Sequence, residues 1–162
     1  VVITHEGEPY LTRFFLNGKP KYEENESGRI YLHFFHASDL DRALHNHPWT
    51  GTSFILKGGY TEERRTLVGK LSHYEKDTDT QYHKVVTKDV FSESKFRTFK
   101  PGSINRIGLN DYHCATLLNE QKGAWTLFFT GRRVRDWGFL TREDNKFIDW
   151  RTFVNERDKR HD

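Results

Sequence analysis

The chain has one cysteine, Cys114, so no disulfide can close within it. It has no apolar run near the roughly 18 residues of a membrane-spanning helix, so no membrane partner is expected. The opening residues, Val1 to Glu8, lack the charged, apolar and small-residue regions of an export signal, which makes a cytoplasmic location the expectation. No charge of one sign dominates: 26 Lys and Arg face 23 Asp and Glu, for a net charge of +3. The basic residues are mixed with acidic ones except at Arg132-Arg133-Val134-Arg135 and Arg157-Asp158-Lys159-Arg160, which read as solvated faces. A nucleic-acid binder needs a concentrated basic stripe, so no nucleic-acid partner is expected. There is no internal repeat and no low-complexity linker. The 162 residues fit a single domain over 1–162.

What the chain does have is aromatic side chains: 13 Phe, 7 Tyr and 4 Trp. These suit a sheet core and argue against disorder. Short apolar runs alternate with turn residues, the pattern of an all-β domain. The predicted strands are Tyr10–Leu16, Arg29–His36, Thr52–Lys57, Gln81–Thr87, Lys95–Phe99, Ser103–Ile107, His113–Leu118 and Ala124–Thr130. Asn17-Gly18, Gly58-Gly59, Pro101-Gly102, Asn110-Asp111 and Lys122-Gly123 punctuate them. A barrel core over about 10–130 is expected. Ser38–Ala43 reads as one helical turn capped by Ser38. Residues 60–98 carry a polar insertion that either extends the sheet as a hairpin or covers the barrel mouth. Phe147, Trp150, Phe153 and Val154 recur at helical spacing, which predicts a C-terminal helix over about 145–159 lying against the barrel.

His45-Asn46-His47 is the first chemical signal. On a strand, residues i and i+2 share a face, so two imidazoles about 6–7 Å apart along the chain can converge on one ion. Nine histidines in 162 residues yield about 0.5 such pairs by chance, so this motif needs a second one. The second runs from Gly102 through Gly108 and Asn110 to His113.

Together the two segments resemble the cupin superfamily, whose motifs are G-x5-H-x-H-x3,4-E-x6-G and G-x5-P-x-G-x2-H-x3-N. His45, His47 and the Gly58-Gly59 pair match the first; Gly102 and His113 match the second. The resemblance covers residues 39–118, and the segment His45–Trp49 is also similar to small cupin-like proteins carrying H-x-H-P-W. Asp39 stands where motif one begins with Gly, and Gly51 or Thr52 where the metal-binding Glu belongs. Gly108, Asn110 and Leu117 replace the Pro, Gly and Asn of motif two. The resemblance implies a cupin-type double-stranded β-helix, a jelly-roll barrel, holding one divalent metal ion on His45, His47 and His113. It also allows a homodimer formed by sheet pairing.

Three neutral imidazoles suit Fe(II), the expected ion, and also Zn(II), Ni(II) or Cu(II). Three ligands on one side leave positions open for substrate or O2. Without a carboxylate the ion keeps its double charge and favours an anionic ligand. Arg106, Asn105, Trp49, Tyr112 and His33 are candidate contacts to a small-molecule substrate. Arg106 is the one chosen for a carboxylate, because its fork matches that group. His33 and His36 have opposite facing on their strand, so one of them faces the barrel interior. Cys114, beside His113, faces away and reads as a packed thiol. No catalytic acid or base is assigned. Three-histidine cupins without the Glu resemble thiol dioxygenases, so the expected function is a mononuclear non-haem iron dioxygenase acting on a small anion. The alternatives are a metal-assisted isomerase, epimerase or lyase on a sugar or small acid, and a non-enzymatic ligand-binding barrel.

Overall fold

The computed structural model describes residues 1–5, 7–17, 28–39, 43–76 and 83–153. Its strands are β1 (Val2–His5), β2 (Glu8–Phe15), β3 (Ile30–Phe35), β4 (Leu44–His45), β5 (Gly51–Lys57), β6 (Tyr60–Lys76), β7 (His83–Phe91), β8 (Lys95–Phe99), β9 (Ile104–Ile107), β10 (Asp111–Leu117), β11 (Ala124–Thr130), β12 (Gly138–Leu140) and β13 (Phe147–Asp149). Strand alternation sets what lies inside. On β5, Gly51, Ser53 and Ile55 are buried while Phe54 and Leu56 are exposed; on β9, Asn105 and Ile107 are buried while Ile104 and Arg106 are exposed.

The strands form two antiparallel sheets, in the orders β1-β2-β3-β11-β5-β9 and β13-β12-β4-β10-β6-β7, with β8 also paired to β6. The pairings are nested: β3 with β11, β4 with β10, β5 with β9, and β6 with β8. A chain that pairs outermost with outermost and crosses repeatedly between two sheets is a jelly roll, so the fold is the all-β, cupin-type barrel. The tight β5–β6 turn uses Gly58 (φ 75°) and Gly59 (φ 132°), where a Cβ on Gly58 would sit 2.2 Å from the Gly123 carbonyl oxygen.

One core cluster joins Ile55, Tyr60, Phe99, Leu117 and Ala124, with Phe35 and Ala115 packed against them. A second cluster, Leu44, Tyr112, Cys114 and Leu140, joined by Leu67 and Phe91, includes the β10 residues that alternate with His113.

Of the two forms expected for the polar insertion the structure has the sheet-extending hairpin, while the expected C-terminal helix is replaced by strand at its start. The polar insertion builds β6, a 17-residue strand whose first half pairs with β10 and β8 and whose second half forms a hairpin with β7. Helix is confined to residues 150–153 among the described ones. Phe147–Asp149 is instead a strand on β12, because its backbone completes an antiparallel edge; residues 154–159 of the expected helix lie outside the described residues. Residues 40–42 of the expected Ser38–Ala43 turn also lie outside them, and the Ser38 hydroxyl accepts the Leu117 N–H at 2.7 Å. No helix among the described residues is long and apolar enough to cross a membrane.

Candidate metal centre

β4 and β10 pair with His45 opposite His113, so these two rings are cross-strand neighbours, 4.7 Å between centroids. Asn46, between the two histidines of the first motif, is buried. It exchanges bonds with Gly138 of β12: its Oδ1 accepts the Gly138 N–H at 2.9 Å and its own N–H reaches the Gly138 carbonyl at 3.1 Å. This anchor leaves His45 and His47 on the face opposite Asn46. The His47 ring stacks on Trp49 at 4.4 Å and 14°, and its Nε2 lies 2.8 Å from Nε2 of His113.

The ligand atoms of His45, His47 and His113 all lie within 4.8 Å of one another, and no carboxylate or thiol of the described residues joins them. The donor set fits a divalent ion. Two nitrogens in adjacent positions on one ion, each about 2.0–2.1 Å from it, would lie about 3 Å apart, near the spacing between His47 and His113.

The protonation pattern also suits ligation. Glu62, 2% exposed, accepts the His113 Nδ1–H at 2.8 Å. That bond fixes the proton on Nδ1 and leaves the Nε2 lone pair facing His45 and His47. Glu62 also accepts from Asn105 Nδ2 at 2.7 Å and from Arg64 Nε at 2.7 Å. Burial alone would raise its carboxyl, but the facing His113, its hydrogen bond, Arg64 and Asn105 outweigh that and hold it at about 2. Arg64 is braced in turn by Asn105 Oδ1 at 2.7 Å and Asp111 at 3.2 Å. Burial, followed by the neighbouring His113 and His45, holds His47 well below the ordinary histidine value, so it is neutral and able to donate.

Register separates Gly51 from Thr52. Thr52 lies opposite the exposed Arg106 and points outward; Gly51 lies opposite buried Ile107 and points in. A Cβ on Gly51 would meet Phe128 Cζ at 2.7 Å, so a phenyl ring occupies the room a carboxylate would need. Asp39 is engaged elsewhere, accepting from the Tyr10 hydroxyl and from the Ala115 N–H at 2.8 Å.

The histidines line a cavity of about 790 Å³. Trp49 and His33 also line it, and Asn105 supports its wall through Glu62. Arg106 is exposed on the outer face of β9, and Tyr112 packs in the outer cluster against Phe91; neither lines the cavity. Cys114 sits beside Tyr112, and burial pushes its thiol up. Of the two histidines of β3, His33 faces in, buried and stacked between Tyr31 (5.4 Å) and Phe128 (5.3 Å), while His36 bonds Thr12 Oγ1 at 2.7 Å.

Three residues escaped the sequence: Glu62, Asn46 and Arg13. Glu62 follows the Gly58-Gly59 turn by three residues in a charged run, and its even-numbered phase with Tyr60 and Arg64 was the available signal. Asn46 sits inside the histidine motif itself. Arg13 shares the inner face of β2 with buried Leu11, and that phase was its signal.

No family model matches this sequence, and no curated protein does. Among solved structures, the chain is similar to Fe(II) HppE (12% identity, TM-score 0.48, 80% of this chain and 54% of that one). It is similar to a candidate mannose-6-phosphate isomerase from Ralstonia eutropha JMP134 (11%, 0.48, 77% and 87%). It is also similar to the DMSP lyase DddQ from Ruegeria pomeroyi DSS-3 (14%, 0.47, 80% and 50%). The chain thus spans about half the length of HppE and of DddQ.

Proposed function

We propose that the chain is a metal-dependent enzyme, a mononuclear non-haem iron dioxygenase acting on a small anionic substrate. The observation that carries this reading is the set of three imidazoles, with ligand atoms within 4.8 Å and no carboxylate among them, on the wall of a cavity of about 790 Å³. That volume falls in the range of small-molecule sites, about 300–1,000 Å³. A bound ferrous ion would supply redox chemistry toward dioxygen and Lewis acidity toward substrate. The chain's own residues hold His113 in one tautomer through Glu62, keep His47 neutral, and place Trp49 and Phe128 where they exclude water from one side of the site. Neutral ligands leave the ion's charge uncancelled, which selects an anionic partner over a neutral one.

The test is anaerobic loading with Fe(II), followed by oxygen-electrode measurement with a panel of small carboxylates and thiolates. Wild type should bind one ion and consume oxygen with at least one acid, and His47→Ala should do neither. Stoichiometric iron with no oxygen uptake, or turnover of a sugar or small acid in the absence of oxygen, would overturn the dioxygenase reading. Retained one-to-one binding in His47→Ala would overturn the ligand set.

A further inference from the structure

The cavity holds a cation whose partner is a histidine rather than an acid. Arg13 of β2 lies opposite His33 of β3 in the sheet register. Its Nε donates to His33 Nε2 at 3.1 Å, and its guanidinium carbon lies 4.7 Å from the centre of the Tyr31 ring. To accept that bond, His33 must carry its proton on Nδ1 and be neutral. Burial, and after it the Arg13 charge, push His33 down to about 3, which keeps it so. The histidine therefore orients the arginine without cancelling its charge.

Among the described residues no carboxylate pairs with Arg13. The cavity's two acids are committed: Asp39 to Tyr10 and the Ala115 N–H, and Asp136 to Arg133 at 2.6 Å and Arg151 at 3.5 Å. With Nε occupied by His33, the guanidinium's remaining donors are its two terminal nitrogens, the end of the fork that matches a pair of oxyanion oxygens.

An aromatic wall joins this guanidinium to the histidines. Tyr31 stacks on His33 (5.4 Å), His33 on Phe128 (5.3 Å), Phe128 meets Trp49 edge-on (5.4 Å), and Trp49 stacks on His47 (4.4 Å). These rings, Arg13 and the three histidines all line the same cavity.

We propose that Arg13, oriented by His33, is the receptor for an oxyanion group of the substrate, which is a small acid spanning from this guanidinium to the three histidines. The receptor stands on the cavity geometry alone; the spanning pose rests on the metal-site reading above.

The experiment uses the full chain, metal-free and Zn(II)-loaded, with acetate and inorganic phosphate as probes. Binding is followed by calorimetry and by the Arg13 Nε–H resonance in nitrogen-15-labelled wild-type protein. In the metal-free protein at least one anion should shift that resonance saturably, and Arg13→Met should weaken its binding about tenfold or more while Zn(II) still binds one to one. Acetate alone binding would identify a carboxylate head group, phosphate alone a phosphoryl or phosphonyl one; either supports the receptor. An unmoved resonance in wild type, or equal anion affinity in wild type and Arg13→Met, would overturn it. The wild-type resonance decides the matter even if the variant does not fold. Arg13-dependent anion binding in a chain that takes up no metal would leave the receptor standing and remove the metal-enzyme reading; metal binding without it would do the reverse.

Discussion

Glu62 is the residue where stability and metal chemistry meet, and Glu62→Gln separates the two with almost no change in shape. One carboxylate oxygen accepts from His113 Nδ1 and Asn105 Nδ2; the other accepts from Arg64 Nε. An amide has one oxygen and one NH2, so either orientation sets a donor against a donor. If the NH2 faces Arg64, the half-buried guanidinium loses its acceptor at Nε. If it faces His113, that ring must move its proton to Nε2, and the lone pair toward His47 and His45 is gone. Removing one partner of a buried ion pair costs about 3–5 kcal/mol. Arg64 keeps Asp111 at 3.2 Å and 22% exposure, so about 3 kcal/mol is expected, or roughly 10 °C in Tm for a domain of this size. Metal affinity should fall about 10- to 100-fold, the usual effect of losing a histidine's outer partner. Urea unfolding and competitive Zn(II) titration measure the two. A variant within about 1 kcal/mol of wild type, with unchanged affinity, would refute the argument that this carboxylate fixes the His113 tautomer.

Stability should fall as the solution is acidified from pH 6.5. His33 titrates near 6.5 when unfolded and about 3 when folded, so its contribution is whole above 6.5 and is lost as pH drops toward 3. Glu62, with its ordinary value of 4.5 and folded value of about 2, adds a second loss as pH falls through that lower window. Each proton contributes a slope of at most about 1.4 kcal/mol per pH unit. Urea midpoints at pH 7.0 and 4.5 should differ in wild type, and the difference should shrink in His33→Gln without vanishing, because His47 is also held well below the ordinary histidine value; a flat wild-type profile contradicts this. Gly51→Ala should cost about 1–3 kcal/mol by thermal unfolding, since its methyl would meet the Phe128 ring at 2.7 Å; an unchanged Tm would show that Phe128 moves freely. Asn46→Ala should cost about 1–3 kcal/mol, leaving the buried Gly138 N–H unpaired, and should weaken metal binding as the histidines lose their anchor. Full Zn(II) affinity in a folded Asn46→Ala protein would show that the anchor does not position them.

The legible parts of this molecule are the short aromatic and apolar runs set between turn residues. β5, β8, β9, β10 and β11 fall within two residues of expectation because turn residues bound their short runs, and the histidine spacing survives because it is local in the chain. The insertion was legible only as a hairpin or a cover, because both faces of β6 are polar: Tyr60, Glu62 and Arg64 point in, Thr61, Glu63 and Arg65 alternate with them, and ion pairs replace the apolar face that marks a strand. With its pairing to β10 left open, the carboxylate behind His113 could not be placed. Arg106 was misplaced for a different reason. Which parity faces inward depends on the partner strand, and only the pairing of Ser53 with Asn105 sets it. Tyr112 follows the same rule: if His113 is inside, its neighbour is not. The short strand at Phe147–Asp149 exists only because β12 offers it an edge, a contact invisible to helical spacing.

The cavity's lining is apolar at Phe35, Tyr60 and Ala115, which join the cluster around Ile55 and Phe99, and charged at Arg133, Asp136 and Arg151. Asp136 ties the charged group together, 2.6 Å from Arg133 and 3.5 Å from Arg151. Asp136 and Arg151 are both more than half exposed, so an arriving anion meets these charges as well as the histidines. Charge reversal there should change the speed of its arrival while leaving the histidines untouched.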